Sequence, residues 1–477
     1  MRRLKKYICY GMIMSMLISL TGCGGEKAAT DTQEVYVPVT YASMEAELLD
    51  KMAREKEERD ALLEGQEKAE EHTDFNTGQG QPDSTSQAGD GVNTAVDGTQ
   101  AAGELPVMGT ITFWYTDDRD IEYLRAASEE FERRYNIHVD YILKNEADFL
   151  EAVNQAALTG MNQDGPDAYM LSNDLIKKAR LSGLVEKNTW YDEQFWSENY
   201  PVVAKNALSS GVGVYGYPVY LDTFFMLYDQ DFAGEPITIE NVLEFSENFV
   251  DEENKKEIFR WDISDPFYNF MFLGGYASLL GATGEDASLY DVTNEYVVES
   301  MEYFQSIHEI LSMDMEDSSY AKIKKKVKKN KLIYAICKTD ILPVLEETEN
   351  SYKLAKLPKL TDTLNSGSLS ITYAACVNPY SDSISAATLF SIFLSYEFSG
   401  EQFGLNRKIS TRSSITRSDE NDILIFDQYI LSDTIPKALQ MGDFWTYSEV
   451  AFSNIWHGAD VKEELSNLQE TIRSRLE

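Results

Sequence analysis

The chain has 477 residues, with 42 Lys or Arg against 80 Asp or Glu, and a formal net charge of −38. This length allows two or three domains with hydrophobic cores of their own. A surface of this charge repels a phosphate backbone, so nucleic acid is excluded as an expected partner.

The N-terminal segment predicts export. Basic residues within the first six positions precede an apolar run over residues 7–20, which is too short for a comfortable membrane span. The run ends in Leu20-Thr21-Gly22-Cys23, which resembles a bacterial lipobox, where the cysteine is lipidated and becomes the mature N-terminus. We expect residues 1–22 to be a lipoprotein signal peptide and Cys23 to anchor the chain on the extracellular face of the cell membrane. A plain secretory signal and an uncleaved anchor are the alternatives.

Residues 23–108 are predicted to form a helical stalk and a disordered tether. The segment 42–71 is charged and helix-prone, with carboxylates placed four residues before Lys51 and Arg59. Its apolar residues are sparse, so we expect a single solvated helix rather than a short coiled coil. Residues 73–104 are rich in Gly, Ser, Thr, Gln and Asp and cannot bury enough apolar surface to fold.

From Thr110 onward the pattern predicts strands alternating with helices. The predicted strands are 110–115, 137–141 and 168–171, each followed by a predicted helix. This alternation indicates an α/β fold with a parallel sheet wrapped by helices. Ligands of such sheets bind beyond the carboxyl ends of the strands, which here are followed by residues 114–118 and 172–174.

The stretch YGYPVYLDTFFMLYDQDF, residues 215–232, is predicted to be a strand that crosses between two lobes. Pro218 forces an extended start, and residues 224–228 form an aromatic and aliphatic run of strand length. The hypothesis places Tyr220 and Asp222 at a cleft between the lobes. The alternative is an ordinary buried strand with a solvated acid at its edge.

A resemblance to a known family rests on an ordered set of segments. After the lipobox come ITFWYTDD, EFERRYNIHV, GPDAYMLSND, ARLSGLVE, the stretch 215–232, SDPFYNFMFLGGYASLLG, KKNKLIYAICKTD and GDFWTYSEVAFSNI. Together they resemble the family 1 extracellular solute-binding proteins, the capture components of bacterial ABC importers, over about residues 109–477. The chain departs from the family at Asn330-Lys331, at Lys338-Thr339-Asp340 and in its N-terminal extension.

The resemblance implies a two-lobe periplasmic-binding-protein fold of type 2 with hinge strands, whose cleft closes on its ligand. It assigns residues 109–225 and 372–422 to lobe 1, and residues 226–371 and 423–477 to lobe 2. A return crossing is expected over 368–378. The implied partners are a carbohydrate, the permease subunits of an ABC transporter and, through the lipid, the membrane; the implied state is a monomer without a cofactor.

The resemblance also implies a set of ligand-binding residues, because sugars are held by aromatic faces and by polar groups on their hydroxyls. The implied residues are Trp114, Thr116, Asp117, Asp174, Tyr220, Asp222, Phe267, Tyr268, Trp445 and Tyr447. Core packing is the alternative for Trp114 and for one of the tandem aromatics at 267–268. For Asp174 the alternative is a helix cap.

An enzyme is the less favoured class. The four His show no two-His metal spacing, and no GxSxG elbow or phosphate-binding glycine loop is present, so no metal or catalytic residue is predicted. A glycoside hydrolase would use paired carboxylates, for which Asp117 and Asp222 are the candidates. A surface ligand sensor or adhesin of the same fold is the third alternative.

Two further features leave alternatives open. Cys337 and Cys376 could form a disulfide or remain buried free thiols. The basic run 321–331 is expected to be the solvated face of a helix with Ile323 and Val327 turned inward, and docking to an acidic partner is its alternative.

Overall fold

The computed structural model describes residues 38–71, 109–160, 165–250, 256–311, 313–348 and 351–477. The signal peptide, the lipidation site Cys23 and nearly all of the tether lie outside the described residues, and these remain predictions. Within the described ranges, no helix has both the length and the apolar composition needed to cross a membrane.

The strands are β1 (Gly109–Tyr115), β2 (Ile137–Leu143), β3 (Ala168–Ser172), β4 (Ser209–Ser210), β5 (Gly213–Val214), β6 (Tyr217–Asp229), β7 (Glu257–Arg260), β8 (Leu332–Lys338), β9 (Tyr352–Ala355), β10 (Leu369–Val377), β11 (Ile409–Ser410) and β12 (Asp433–Thr434). The α-helices are α1 (Tyr41–Glu71), α2 (Ile121–Tyr135), α3 (Phe149–Leu158), α4 (Ile176–Leu181), α5 (Glu193–Asn199), α6 (Val202–Leu208), α7 (Ile239–Asn248), α8 (Pro266–Leu273), α9 (Glu295–Leu311), α10 (Tyr320–Lys328), α11 (Leu342–Glu346), α12 (Ile384–Ile392), α13 (Gln402–Asn406), α14 (Glu420–Ile430), α15 (Met441–Trp456) and α16 (Val461–Leu476).

Seven strands follow one another across the main sheet, in the order β2-β1-β3-β10-β6-β8-β7. β1 is parallel to both β2 and β3, which confirms the parallel sheet predicted for the first part of the folded region. The two strands in the middle of the order, β10 and β6, run antiparallel to each other. Ser172, the last residue of β3, pairs with β10, and Lys338, the last residue of β8, pairs with β6, so the carboxyl ends of these strands meet beside this pair.

Strand β6 passes from one half of the sheet to the other, as predicted for the stretch 215–232. Its residues 217–223 pair with β10 and β11, whereas residues 224–229 pair with β8 and β9. Gly216 precedes it with a φ of +82°, a conformation that glycine adopts without strain. Asp222 is 4% exposed, so it is not a solvated acid at a sheet edge. β10 forms the predicted return crossing.

Two hydrophobic cores lie on the two sides of these crossing strands. The first lobe packs β1–β3 against α2 and α12 around Phe131 and Phe390, and the second packs α8, α9 and α15 around Trp261 and Trp456. The lobe boundary predicted at 422/423 stays a prediction. Tyr429 of α14 is buried in the first core, whereas Phe444 of α15 is buried in the second. The third crossing segment is therefore residues 431–440, which follow α14.

The stalk prediction is wrong in one respect: α1 is helical, but its first half is not solvated. Met44, Leu48 and Met52 are buried in the first core, and α1 packs along α12. These residues recur every four positions and so share one face of the helix. The Tyr41 ring stacks on Tyr396 at 5.6 Å between centroids, which fixes the start of the helix on the first lobe.

The structure decides the two alternatives left open for the cysteines and the basic run. Cys337 and Cys376 are free and buried, and burial raises the pKa of both thiols. In α10, Ile323 and Val327 are buried, as predicted. Lysines of this helix form ion pairs with acids of the same chain, including Lys324 with Asp340 at 2.6 Å, which fits a solvated helix face.

Candidate functional site

A cavity of about 490 Å³ lies where the crossing strands meet the carboxyl ends of β1, β2 and β8. It is lined by Thr116, Asp117, Asp118, Arg119, Leu143, Lys144, Asn145, Glu146, Tyr220, Leu221, Asp222, Lys338, Thr339, Tyr373 and Lys408. Four of the ten predicted ligand-binding residues are among them: Thr116, Asp117, Tyr220 and Asp222. The volume falls within the range of about 300–1,000 Å³ typical of small-molecule sites.

The turn after β1 supplies a carboxylate that is fully used by its neighbours. Asp117 caps the short helical turn that follows the strand and accepts a hydrogen bond from the backbone N–H of Arg119 at 3.1 Å. Its oxygens also accept a hydrogen bond from Nη2 of Arg119 at 2.6 Å and lie 2.9 Å from Nζ of Lys408. Burial alone would raise the pKa of the Asp117 carboxyl, but Arg119 and Lys408 hold it well below its usual range.

Beneath this turn, a buried ionic cluster forms the floor of the cavity. Nζ of Lys408 lies 2.5 Å from Oδ1 of Asp120, and the hydroxyl of Tyr220 donates to Oδ2 of Asp120 at 3.1 Å. The ring of Tyr220 is stacked on Tyr373 at 4.5 Å, and Lys408 stands 3.8 Å from the centre of the same ring. Since these two groups cannot share one face, both faces of Tyr220 are occupied. Its contribution is to position its neighbours rather than to stack on a ligand.

The second lobe contributes the end of β8. Asp222 of β6 accepts hydrogen bonds from the backbone N–H of Thr339 at 3.0 Å and from its hydroxyl at 2.7 Å. Nζ of Lys338 lies 3.4 Å from Oδ2 of Asp222. The charge of Asp222 raises the pKa of Lys338, which keeps this amine protonated at neutral pH. Asp222 thus holds a strand of the second lobe against the crossing strand.

Three of the predicted aromatic residues, Trp114, Phe267 and Tyr268, are not among those that line the cavity. Trp114 is buried in the first core, and Nζ of Lys144 stands 3.9 Å from the centre of its ring. Phe267 and Tyr268 are 9% and 2% exposed and pack on Phe224 in the second core. The core-packing alternative therefore describes all three side chains in this structure.

The remaining predicted residues are not among those that line the cavity. Asp174 lies in a turn after β3 and is partly buried, and burial raises its pKa. Trp445 packs beside Phe444 at 5.1 Å and is partly exposed. The hydroxyl of Tyr447 accepts a hydrogen bond from Arg475 of α16 at 3.2 Å. A ligand contact at these three positions stays a prediction.

Several lining residues were missed from the sequence, namely Arg119, Lys144, Asn145, Glu146, Lys338, Thr339, Tyr373 and Lys408. Position after a strand could have identified Lys144, which follows β2 directly, and Arg119, which lies in the turn after β1. No local signal identifies Lys408, which reaches the site only because β11 pairs with β6. The sequence prediction followed aromatic residues, whereas the cavity is lined mainly by charged and amide side chains.

The geometry suits binding of a polar molecule between two lobes. Donors from both lobes and acceptors on the rim surround one space, while the carboxylates deepest in it are already hydrogen-bonded. Among the described residues, no group of three or more His, Cys, Asp or Glu side chains could hold a metal ion.

Solved structures of known proteins share this architecture. An extracellular solute-binding protein from Staphylococcus aureus in complex with maltose is 17% identical with a TM-score of 0.67, covering 78% of this chain and 98% of that chain. A cyclo/maltodextrin-binding protein complexed with maltotetraose is 16% identical with a TM-score of 0.68, covering 78% and 98%. A maltotriose-binding protein of Thermus thermophilus is 18% identical with a TM-score of 0.62, covering 76% and 99%. The predicted two-lobe periplasmic-binding-protein fold is thereby confirmed.

No family model matches the chain, and no curated protein matches its sequence.

Proposed function

We propose that the protein is the lipid-anchored substrate-binding component of an ABC importer, which captures a carbohydrate between its lobes and delivers it to a membrane permease. The observation that carries the proposal is the polar cavity at the crossing strands, lined from both lobes. A molecule bound there contacts both lobes at once and therefore favours the closed arrangement over the open one. The structural neighbours bind maltose, maltotriose or maltotetraose, which supports a carbohydrate as the ligand class.

The cavity also argues against the glycoside hydrolase alternative. A hydrolase needs one carboxyl group that is protonated near neutral pH to act as the acid. Arg119 and Lys408 hold the pKa of Asp117 well below its usual range, so this group stays ionised. Asp222 is occupied by two hydrogen bonds from Thr339. Both candidate carboxylates are therefore engaged in holding the cavity together.

The proposal is tested by a thermal-shift screen with mono- and oligosaccharides. A ligand at a hundredfold excess over its dissociation constant stabilises the folded state by about 2.7 kcal/mol, which raises the melting temperature measurably. Incubation of the same oligosaccharides with the protein, followed by chromatography, checks for cleavage. The absence of any shift across the panel contradicts carbohydrate capture, and the formation of shorter products contradicts the non-enzyme assignment.

The location of the site is tested with a matched pair of carboxylate variants. Asp222→Asn removes the charge that holds Lys338 and Thr339 and should weaken ligand binding strongly. Asp427→Asn removes an exposed carboxylate of α14 that pairs with Lys356 and should leave binding unchanged. Equal affinity of both variants by calorimetry would place the ligand elsewhere.

Lipid anchoring is tested on the full chain. Cys23→Ser removes the predicted acylation site, and we expect the protein to move from the membrane fraction to the medium. Retention of the variant in the membrane fraction would favour an uncleaved anchor.

A further inference from the structure

We infer that the cavity takes a carbohydrate bearing an anionic group, such as the carboxylate of a uronic acid, and that Arg119, Lys144 and Lys338 receive this group. The inference deepens the proposed function and rests on it, because it names the chemical class of the sugar.

Away from the exposed Asp118 and Glu146, the hydrogen-bonding capacity left over in the cavity belongs mainly to cations. Asp117 accepts several hydrogen bonds from Arg119 and faces Lys408, and Asp222 accepts two from Thr339. A carboxylate recognises a neutral sugar by accepting its hydroxyl protons, for which it needs a free acceptor position. Here Asp117 and Oδ1 of Asp222 are already engaged by donors of the protein, and Oδ2 of Asp222 faces Nζ of Lys338 at 3.4 Å.

Three cationic groups retain free N–H donors at the same cavity. Arg119 uses Nε and Nη2 for Asp117, and among the described residues its Nη1 has no acceptor. Nζ of Lys144 stands over the ring of Trp114, and no acceptor among the described residues lies within hydrogen-bond distance of Nζ. Nζ of Lys338 has one carboxylate neighbour, at 3.4 Å. The ammonium groups have three donors each, so both have protons to spare.

These donors come from three separate elements and from both lobes. Arg119 follows β1 and Lys144 follows β2 in the first lobe, whereas Lys338 ends β8 in the second. An anion between them would be held from both sides by charge-assisted hydrogen bonds, which are about twice as strong as neutral ones. The exposed carboxylates of the lining, Asp118 and Glu146, remain available for sugar hydroxyls.

The net charge of −38 does not forbid an anionic ligand. Exposed charges act over a screening length of about 8 Å at physiological ionic strength, so most acids of the surface are not felt inside the cavity. Cations within hydrogen-bond reach decide the local preference. In so acidic a chain, three cations with unused donors at one cavity are the feature that a neutral ligand does not explain.

The inference is tested by calorimetry with a matched pair of disaccharides, digalacturonate and galactobiose, which differ in a carboxylate against a hydroxymethyl group on each ring. We expect digalacturonate to bind at least about tenfold more tightly, since a hydrogen bond to a charged group contributes about that factor or more. Galactose 6-phosphate forms a third arm, and its tighter binding than galactose would identify a phosphate ester as the anion.

The residues are tested by charge-removing variants. Among the described residues Lys144 pairs with no carboxylate, so Lys144→Gln leaves none without its partner. The variant should weaken binding of the acidic ligand about tenfold, with little change for a neutral one. Lys338→Gln should act in the same direction. Lys324→Gln is the control, because Lys324 carries the same charge but pairs with Asp340 and is not a lining residue.

The outcomes separate this inference from the proposed function. If a neutral sugar binds as tightly as its acidic partner, or more tightly, the inference is overturned while carbohydrate capture stands. If Lys144→Gln and Lys324→Gln weaken acidic binding equally, the assignment of the anion to these cations is overturned. If no carbohydrate binds, neutral or acidic, both proposals are overturned.

Discussion

Two fully buried lysines, Lys408 in the cavity floor and Lys437 in the third crossing segment, meet opposite surroundings. Each of the two residues is 1% exposed. Nζ of Lys408 lies 2.9 Å from Asp117 and 2.5 Å from Asp120. Nζ of Lys437 instead donates to two backbone carbonyls in the last turn of α6, at 2.7 and 2.8 Å. Lys408 is neutralised by carboxylates, whereas the hydrogen-bond partners of Lys437 among the described residues are carbonyl oxygens.

The difference shows which of the two parts, the cavity floor or the third crossing segment, responds to pH. Loss of hydration on burial lowers the pKa of Lys437 to about 7; Glu285 opposes this shift and Lys177 adds to it. The carbonyls at the end of a helix carry partial negative charge and favour a cation there, but less than a carboxylate does. The floor of the cavity is therefore fixed by ion pairs, whereas the crossing segment carries an amine that titrates near neutral pH.

The largest effect should come from Lys408→Met, which removes the lysine that is paired with carboxylates. The variant leaves the buried Asp120 beside the partly buried Asp117 without their shared cation. Removing one partner of a buried ion pair costs about 3–5 kcal/mol. The free energy of unfolding in urea measures this loss. Lys205→Met is the control, since Lys205 pairs with the exposed Glu193 and such a pair contributes at most about 1 kcal/mol. Equal losses in the two variants would contradict the role given to the buried cluster.

The second effect concerns the other lysine and its pH dependence. The pKa of Lys437 is lower in the folded protein, about 7, than its model value of 10.5, so between these values the unfolded chain binds more protons. Stability therefore rises with pH across this window, by about 2 kcal/mol from pH 7 to pH 9. Well below pH 7 both states carry the proton, and the contribution no longer changes.

The check on this pH dependence is Lys437→Met, which lacks the titrating amine. The difference in unfolding free energy between wild type and variant should itself change by about 2 kcal/mol between pH 7 and pH 9. A difference that stays constant over this range would show that the amine does not titrate there.

A smaller effect is expected for Asp120→Asn, which sharpens the comparison by weakening the floor without removing its cation. Asp117 still neutralises Lys408 at 2.9 Å. The asparagine keeps one acceptor oxygen but cannot replace the charged partner of Tyr220 and Lys408. We expect a loss of about 1.5 kcal/mol, the contribution of a hydrogen bond to a charged group. A loss as large as that of Lys408→Met would show that Asp117 does not compensate.

How far the sequence predicted the molecule depends on how local each determinant is. The strands β1, β2 and β3 and the crossing strand β6 follow from patterns within short segments, and the structure has them where they were predicted. The docking of α1 depends on which surface is available to cover its apolar face. Met44, Leu48 and Met52 were too few to indicate burial in isolation, and their partner α12 lies more than 300 residues away.

The site was predicted in part for the same reason. Thr116, Asp117, Tyr220 and Asp222 follow from strand ends and from the crossing, and they line the cavity. The tandem aromatics Phe267 and Tyr268 do not line the cavity, because α8 is apolar all round and buries every one of its residues. Composition alone does not tell an aromatic ring that stacks on a ligand from one that fills a core. Lys408 and Lys437 are single lysines without a local motif, and their burial depends entirely on strand pairing.

The smallest effect tests whether the charge of Glu285 in the second lobe alters the pKa of Lys437. Glu285 accepts a hydrogen bond from Ser210 at 2.6 Å, and its charge raises the pKa of Lys437 against the effect of burial. Glu285→Gln keeps an acceptor for Ser210 but removes the charge. The pKa of Lys437 should then fall further, which moves the midpoint of the pH dependence downward.

A double-mutant cycle decides whether this effect acts through the lysine. If Glu285 acts on the amine, Glu285→Gln should change the pH dependence in the wild-type background and have no such effect in Lys437→Met. If it acts only through its hydrogen bond to Ser210, the effect should be the same in both backgrounds and independent of pH. The first result would mean that a carboxylate near α6 sets the protonation of a cation that ties the third crossing segment to the first lobe. The pH response of the hinge region would then be a property of two charges rather than of burial alone.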